Sequence, residues 1–228
     1  MLYSLIAAVL IAAASPADTD QLAAARDHQD LPALEKLIGE LRGSADAQKS
    51  PDSEYRLALA YSYAAEVAME VRDKKKAERF AESGMDPARK AIAAAAQNAE
   101  YHRVLGELCG QVVPANPFLG ALKYGQCARD ELNKAIELNA RLALAYVSRG
   151  VGNSYLPSSM GGGIDLALKD FDKAIALDPK LADAYLWKGI TLRKANREAE
   201  ARQALERAVQ LDPQRVWAKE QLEKTPGR

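Results

Sequence analysis

Three groups of residues in this chain have types and spacings that could do chemistry. His102 and Cys109 lie seven residues apart, two turns of a helix, so an imidazole and a thiol would share one face as a general base and its nucleophile must. Both fall on positions that pack one helix against the next, and they read as core residues. The carboxylate pairs Asp170 and Asp172, and Glu198 and Glu200, could suggest acid–base work, but they alternate with Lys and Arg and read as solvated helix faces. His28, the second histidine, falls in an expected turn. The run NSYLPSSMGGGID at 153–165 carries three consecutive glycines, yet no GxGxxG follows a strand and no GxxxxGK[ST] is present, so a flexible connector is expected rather than a phosphate cradle.

Cys109 and Cys127 are the two cysteines of the chain. Their spacing fits no zinc pattern, and neither a metal nor a cofactor is expected. Two readings stand: a disulfide, if the chain enters an oxidising compartment, or two buried thiols acting as small apolar side chains.

The elements that would position these groups are helical. Alanine is abundant, only 6% of residues are aromatic, and 48% are hydrophobic, which suits closely packed helices better than sheets. Lys and Arg number 31 against 31 Asp and Glu, with no long run of one sign, so the footprint of a nucleic-acid binder is missing. Residues 2–14 form an apolar run of signal-peptide length, too short to span a bilayer, with cleavage expected after Ala14 or Ala17. No Lys or Arg precedes Arg26, so a basic n-region is lacking; the alternative is a first helix packed on the body, and membrane contact is expected only through an uncleaved N-terminus. A periplasmic or secreted location follows as the expectation.

The chain is repetitive. ALKDFDKAIALDP ends at Pro179 and ARQALERAVQLDP at Pro213, 34 residues later. The second unit supplies Tyr185, Gly189, Leu192, Ala201, Leu205, Ala208 and Pro213; Tyr146, Gly150, Ala167, Phe171 and Ala174 repeat the arrangement. A fainter copy holds Leu105, Gly106, Ala128, Leu132 and Ala135, with Asn139-Ala140 in place of Asp-Pro. This pattern resembles the tetratricopeptide repeat, clearly over 141–213 and more weakly upstream. Lys188 and Leu192 stand where that pattern has Leu and Tyr.

The resemblance implies an all-α, right-handed α-solenoid of helix-turn-helix units. Its expected parts are a leader at 1–17, a degenerate helix pair with a polar linker at 18–50, about four repeats at 51–213, and a capping helix and tail at 214–228. Against the 34-residue unit, the turn at NSYLPSSMGGGID carries five extra residues and the turn around VVPANPFLGALKYG ten, so two long turns are expected side by side, unless Asn116-Pro117, which reads as an N-cap and first-turn proline, spends part of the second excess on lengthening the following helix. Their apolar ridge would hold Phe118, Leu119, Leu156 and Met160.

The resemblance further implies a concave groove. Its slots fall on Tyr55, Leu59, Tyr63, Arg103, Glu107, Val147, Val151, Tyr155, Leu186, Ile190, Arg193 and Lys194. This strip lacks the Lys, Asn and Arg array with which chaperone-binding members hold a peptide carboxylate. The implied function is a non-enzymatic interaction scaffold for a protein or peptide partner. The alternative is an extracytoplasmic component of a solute-transport system that carries, or docks, a small hydrophobic ligand. An open groove would favour the first, an enclosed apolar pocket the second.

Overall fold

The computed structural model describes residues 17–115 and 117–227, with side chains over 19–114 and 120–227. Residues 1–16 of the expected leader lie outside it, as do the side chains of Phe118 and Leu119. The described residues form eleven α-helices in five antiparallel pairs and a last single helix: α1 (Ala17–Asp27), α2 (Leu31–Gln48), α3 (Pro51–Glu70), α4 (Lys74–Ala94), α5 (Ala99–Ala115), α6 (Pro117–Leu138), α7 (Ala143–Tyr155), α8 (Ile164–Leu177), α9 (Ala182–Lys194), α10 (Glu198–Leu211) and α11 (Val216–Glu223). The fold is an α-solenoid of tetratricopeptide type.

Two kinds of turn build the array. Within three of the pairs, a left-handed residue (Gln29, Arg72 or Asn196) ends the first helix. The following amide then donates back to a carbonyl in the last turn: Asp30 to Ala25, Asp73 to Ala68 and Arg197 to Leu192, at 2.8, 2.8 and 3.0 Å. At the four corners that follow α4, α6, α8 and α10, an Asn or Asp side chain caps the corner. The Oδ1 atoms of Asn98, Asn139, Asp178 and Asp212 each accept from the amide two residues on, at 2.9–3.0 Å. That shared bond explains why Asn139-Ala140 can stand for Asp-Pro: the short polar side chain directs the corner, and the proline only reinforces it.

The repeat glycines are points of close approach. A Cβ added to Gly106 would lie 2.7 Å from Leu132, one on Gly150 2.6 Å from Phe171, and one on Gly189 2.6 Å from Leu205. Only glycine lets the two helices of each pair touch at that height.

Three sequence expectations are corrected. The polar stretch expected as a linker before residue 51 is the end of α2, because Leu41 and Ala45 continue the buried stripe of Leu34 and Ile38. α3 then starts immediately, its Ser50 Oγ accepting from Ser53 N at 3.1 Å, with Pro51 at the first helical position. The ten extra residues near 112–125 form no long turn: Pro117 opens α6, as the Asn116-Pro117 signature implies, and the rest lengthens α5. The glycine turn is an ordered corner rather than a flexible connector. Ser158–Met160 make one 3-10 turn, and the Gly163 amide donates to Asn153 O at 2.9 Å. Gly161 and Gly163 take φ of 80° and 116°, values that side chains rarely adopt.

The buried apolar side chains divide where the pairs change character. One cluster runs from Leu22 to Val112 across α1–α5, a second joins α7–α10, and a third lies under α11. Between the first and second the concave side of the solenoid opens into a cavity.

Candidate functional site

The cavity has a volume of ≈ 500 Å³, within the range of small-ligand sites. Its apolar wall is Leu144, Val147, Val151 and Tyr155 of α7, with Leu156, Leu166 and Trp187. α5 and α6 face this wall with small or short surfaces at Gly106, Gly110 and Ala128. Arg129 and Lys169 stand at its edge, both exposed, and among the described residues neither has a hydrogen bond or ion pair. Arg149 is committed elsewhere: its Nη2 donates to Asp170 Oδ1 at 2.7 Å and its Nε to Oδ2 at 3.0 Å. Asn153 Nδ2 also donates to Asp170 Oδ2, at 3.0 Å. Asp170 is therefore a buried anchor of the α7–α8 pair, not the solvated carboxylate expected from its neighbours.

The twelve groove positions do not share one surface. Tyr63, Arg103, Glu107, Val147, Val151 and Tyr155 line the cavity. Leu59 belongs to the first buried cluster. Tyr55 rests against Tyr101 with ring centroids 5.1 Å apart, and burial pushes its hydroxyl up to about 12. Leu186 and Ile190 are 1% and 7% exposed because α11 lies over them through Ala218, Trp217 and Leu222. Arg193 is taken by the same segment, donating to Gln221 O and Thr225 Oγ1, both at 2.9 Å. Lys194 places Nζ 3.8 Å from the Tyr155 ring centre, and burial, with Arg193 beside it, holds its ammonium below the usual range. Of the ridge residues, Leu156 lines the cavity and Met160 is exposed at the corner.

Cys109 and Cys127 are joined, with Cα atoms 6.0 Å apart and a sequence separation of 18. The bond pins the C-terminal half of α5 to the middle of α6, beside the cavity. His102 is separate from it: a hydrogen bond joins His102 Nδ1 to Glu131 Oε2 at 2.6 Å and another joins Nε2 to Ala96 O at 3.0 Å. No thiol–imidazole pair exists. Among the described residues no group of three metal-ligating side chains occurs, and no helix is long and apolar enough to cross a membrane.

At the opposite wall lies a buried ionic cluster that joins the two ends of the array. Arg26 Nη1 donates to Asp183 Oδ2 at 2.9 Å, linking α1 to α9. Arg215, at the start of α11, donates from Nη2 to Glu66 Oε1 at 2.8 Å and to Glu70 Oε1, and from Nη1 to Glu70 Oε2 at 3.1 Å and to Arg26 O at 3.2 Å. A hydrogen bond between His28 Nε2 and Gln214 Oε1, 3.1 Å, closes the exposed edge. Arg215 is 1% exposed and Glu70 4%. Burial opposes the charge on Arg215, but Glu66 and Glu70 outweigh it and raise its affinity for a proton. These partners come from four separate stretches of the chain, around residues 26–28, 66–70, 183 and 214–215. The repeat slots do not contain them, and only the accumulated curvature of the pairs brings residues 26, 66, 70, 183 and 215 together.

These features define a tetratricopeptide solenoid closed on itself around a concave cavity. A tetratricopeptide repeat model matches residues 171–203. The model of the regulator of microtubule dynamics protein 1-3 family matches residues 17–152, more than half the chain, and the chain belongs to that family. It is 26% identical over 175 residues to regulator of microtubule dynamics protein 3 of Bos taurus, covering 69% of this chain and 36% of that protein. It is 33% identical over 98 residues to small glutamine-rich tetratricopeptide repeat-containing protein 2 of Mycosarcoma maydis, covering 43% of this chain and 26% of that protein. The chain thus spans only 36% and 26% of the length of these relatives. Among solved structures, a thermophilic TPR protein of Thermus thermophilus superposes with a TM-score of 0.64 at 15% identity, over 91% of this chain and 98% of that one. The HusA haemophore of Porphyromonas gingivalis does so with a TM-score of 0.59 at 18% identity, over 89% and 94%. Both establish the fold.

Proposed function

We propose that this chain is a non-enzymatic interaction scaffold whose concave cavity receives a short apolar segment of a protein partner flanked by acidic residues. The tetratricopeptide fold supports a protein or peptide partner. The observation that carries the finer reading is the pairing of an apolar wall, Val147, Val151, Tyr155 and Leu166, with the uncommitted cations Arg129 and Lys169 at its edge. Apolar side chains gain by leaving water, and an acidic neighbour meets the two cations without disturbing the paired charges inside. Selection of random dodecapeptides on the full chain tests it. Enriched sequences are expected to combine apolar and acidic residues and to bind Val151→Glu with Lys169→Glu at least about tenfold more weakly. Enrichment that ignores both substitutions would overturn it.

A second reading draws on the closed ends of the array: a cavity of ≈ 500 Å³ suits a small apolar molecule with an anionic head. Dodecanoate is the probe, titrated against the fluorescence of Trp187 and Trp217. Saturable quenching, lost in Val151→Glu, would favour it over the peptide. An extracytoplasmic setting is part of the proposal; the Cys109–Cys127 bond supports it, since such bonds persist in oxidising compartments. Two alkylatable thiols in chain trapped directly from cells would count against that setting.

A further inference from the structure

The ionic cluster that joins α1, α3, α9 and α11 holds more negative groups than positive ones. Asp27, Glu66, Glu70 and Asp183 surround two guanidiniums, Arg26 and Arg215. Every one of the six side chains is less than a fifth exposed. The neighbouring arginine gives no relief: Arg103 of α5 is matched by Glu100 and by Glu107, the latter at 2.7 Å. Tyr63 of α3 contributes only a neutral ring under Arg26, its centre 5.0 Å from the guanidinium carbon. Asp212, next to the corner before α11, spends its Oδ1 on the amides of Gln214 and Arg215. A buried cluster with two surplus carboxylates is costly unless protons neutralise it.

We propose that this cluster is a proton-controlled clasp on the concave cavity, shut while a carboxyl within it is protonated and loosened as that proton leaves. The proposal concerns the closure itself and does not depend on what occupies the cavity. Arg26, Glu66, Glu70, Asp183 and Trp217 are themselves cavity wall, so parting α11 and α1 from α3 opens the cavity on that side.

Glu70 is the natural proton site. Burial pushes its carboxyl up to about 7 despite Arg215, with Glu66 adding to the rise. Burial likewise raises Glu66 and Asp27. Asp183 is the exception: burial opposes its charge, but Arg26 and then Arg215 hold it below the ordinary aspartate range. Once α11 swings away, Glu70 meets water and titrates near the usual ~4.3 for glutamate. The closed form therefore binds the proton more tightly than the open one. Closure is favoured fully below the ordinary glutamate value, and that favour is lost progressively as pH rises from there and is gone above about 7. This is the reverse of a simple ion pair, which acid would break.

The full chain carrying spin labels at Ala24→Cys and Lys219→Cys, both exposed positions, reads the separation of α1 and α11 by double electron–electron resonance. The native cysteines are bonded and take no label. A single short distance is expected at pH about 5.5, with a longer population growing by pH about 8.5. Between these two pH values the closed-to-open ratio falls about thirtyfold. Acrylamide quenching of Trp187 and Trp217 should rise in step. Glu70→Gln, which mimics the protonated side chain, should keep the short distance at both pH values; Arg215→Gln should show the long one at both. Circular dichroism checks that each variant is helical, and Glu70→Gln decides the matter if Arg215→Gln unfolds. A distance unchanged by pH in the unsubstituted chain, or an unaltered pH dependence in Glu70→Gln, would overturn the clasp.

Discussion

α7 and α9 carry the same signature at the same heights, yet their apolar strips meet different fates. Val147, Gly150 and Val151 of α7 match Leu186, Gly189 and Ile190 of α9. The α7 valines border the cavity. The α9 residues lie under α11, packed with Ala218. The slot in a repeat fixes which way a side chain points along the concave side. Its contacts are decided by the next helices along the chain. After α9–α10 comes a short helix that folds back on the last first-helix, and the strip becomes core. Around α7 no helix folds back in this way: α6 lines the cavity with Gly125, Ala128 and Leu132, Val147 is buried at the cavity wall, and Val151 stays partly exposed.

The largest expected effect tests what the two pairs share. A leucine at Gly189 would force its Cβ to within 2.6 Å of Leu205 and 3.0 Å of the Ala201 carbonyl. Backbone cannot yield to that as a flexible side-chain tip can. Gly189→Leu should therefore cost more than about 3 kcal/mol and melt α9–α11 before the rest. Gly152→Ala, where an added Cβ meets nothing within 4 Å, should stabilise α7 by about 0.5–1 kcal/mol. Thermal melts followed by circular dichroism compare the two. Similar melting would mean that close approach is not what the repeat glycines provide.

The next test addresses the difference directly. Ile190→Glu buries a carboxylate among Leu186, Leu205 and Ala218 with no cation among them, and should cost about 3 kcal/mol or lower the helicity of the last three helices. Val151→Glu places its carboxylate at a partly exposed position of the cavity wall, in a cavity that Lys169 also lines, and should cost under about 1 kcal/mol. Urea denaturation of each single variant measures both. Equal losses would put Val151 in the core and move the candidate site to the exposed corner around Tyr155 and Met160.

How far the sequence reached follows from the same contrast. Leu132, Phe171 and Leu205 stand opposite the glycines that the repeat pattern assigned to them, because close packing within a pair is local and has a local signature. The cavity wall at Val147, Val151 and Tyr155 was legible for that reason. The burial of Leu186 and Ile190 was not, since it depends on the docking of α11. The clasp was least legible. Arg215 follows a proline corner and Asp183 opens a helix, ordinary places for surface charges. Nothing within one repeat tells that five pairs curve far enough to bring them against Glu66 and Glu70. The start of α6 was legible in Asn116-Pro117, an N-cap and first-turn proline, whereas the lengthening of α5 through Pro114 was not.

The smallest expected effect lies in the corners of the same two pairs. The α9–α10 corner uses one left-handed residue, Asn196, with φ of 59°. The α7–α8 corner spends five more residues on the same reversal. Loop-length entropy alone makes removal of 158–162 nearly free. The hydrogen bonds argue for more: Gly162 N donates to Pro157 O at 3.2 Å, Gly163 N donates to Asn153 O at 2.9 Å, and Gly162 is buried so closely that an added Cβ would lie 2.4 Å from Leu156. Two ordered bonds and the seating of Leu156 on the cavity wall put the expected cost of the deletion at about 1–2 kcal/mol. For a chain of this size that is a fall in Tm of roughly 2–8 °C. Asn196→Gly, which relieves the left-handed strain while losing only backbone order, should change stability by no more than about 0.5 kcal/mol. If deleting the five residues were equally silent, the longer corner would be a spacer, and the position of Leu156 and Tyr155 at the cavity would have to be set by α7 alone.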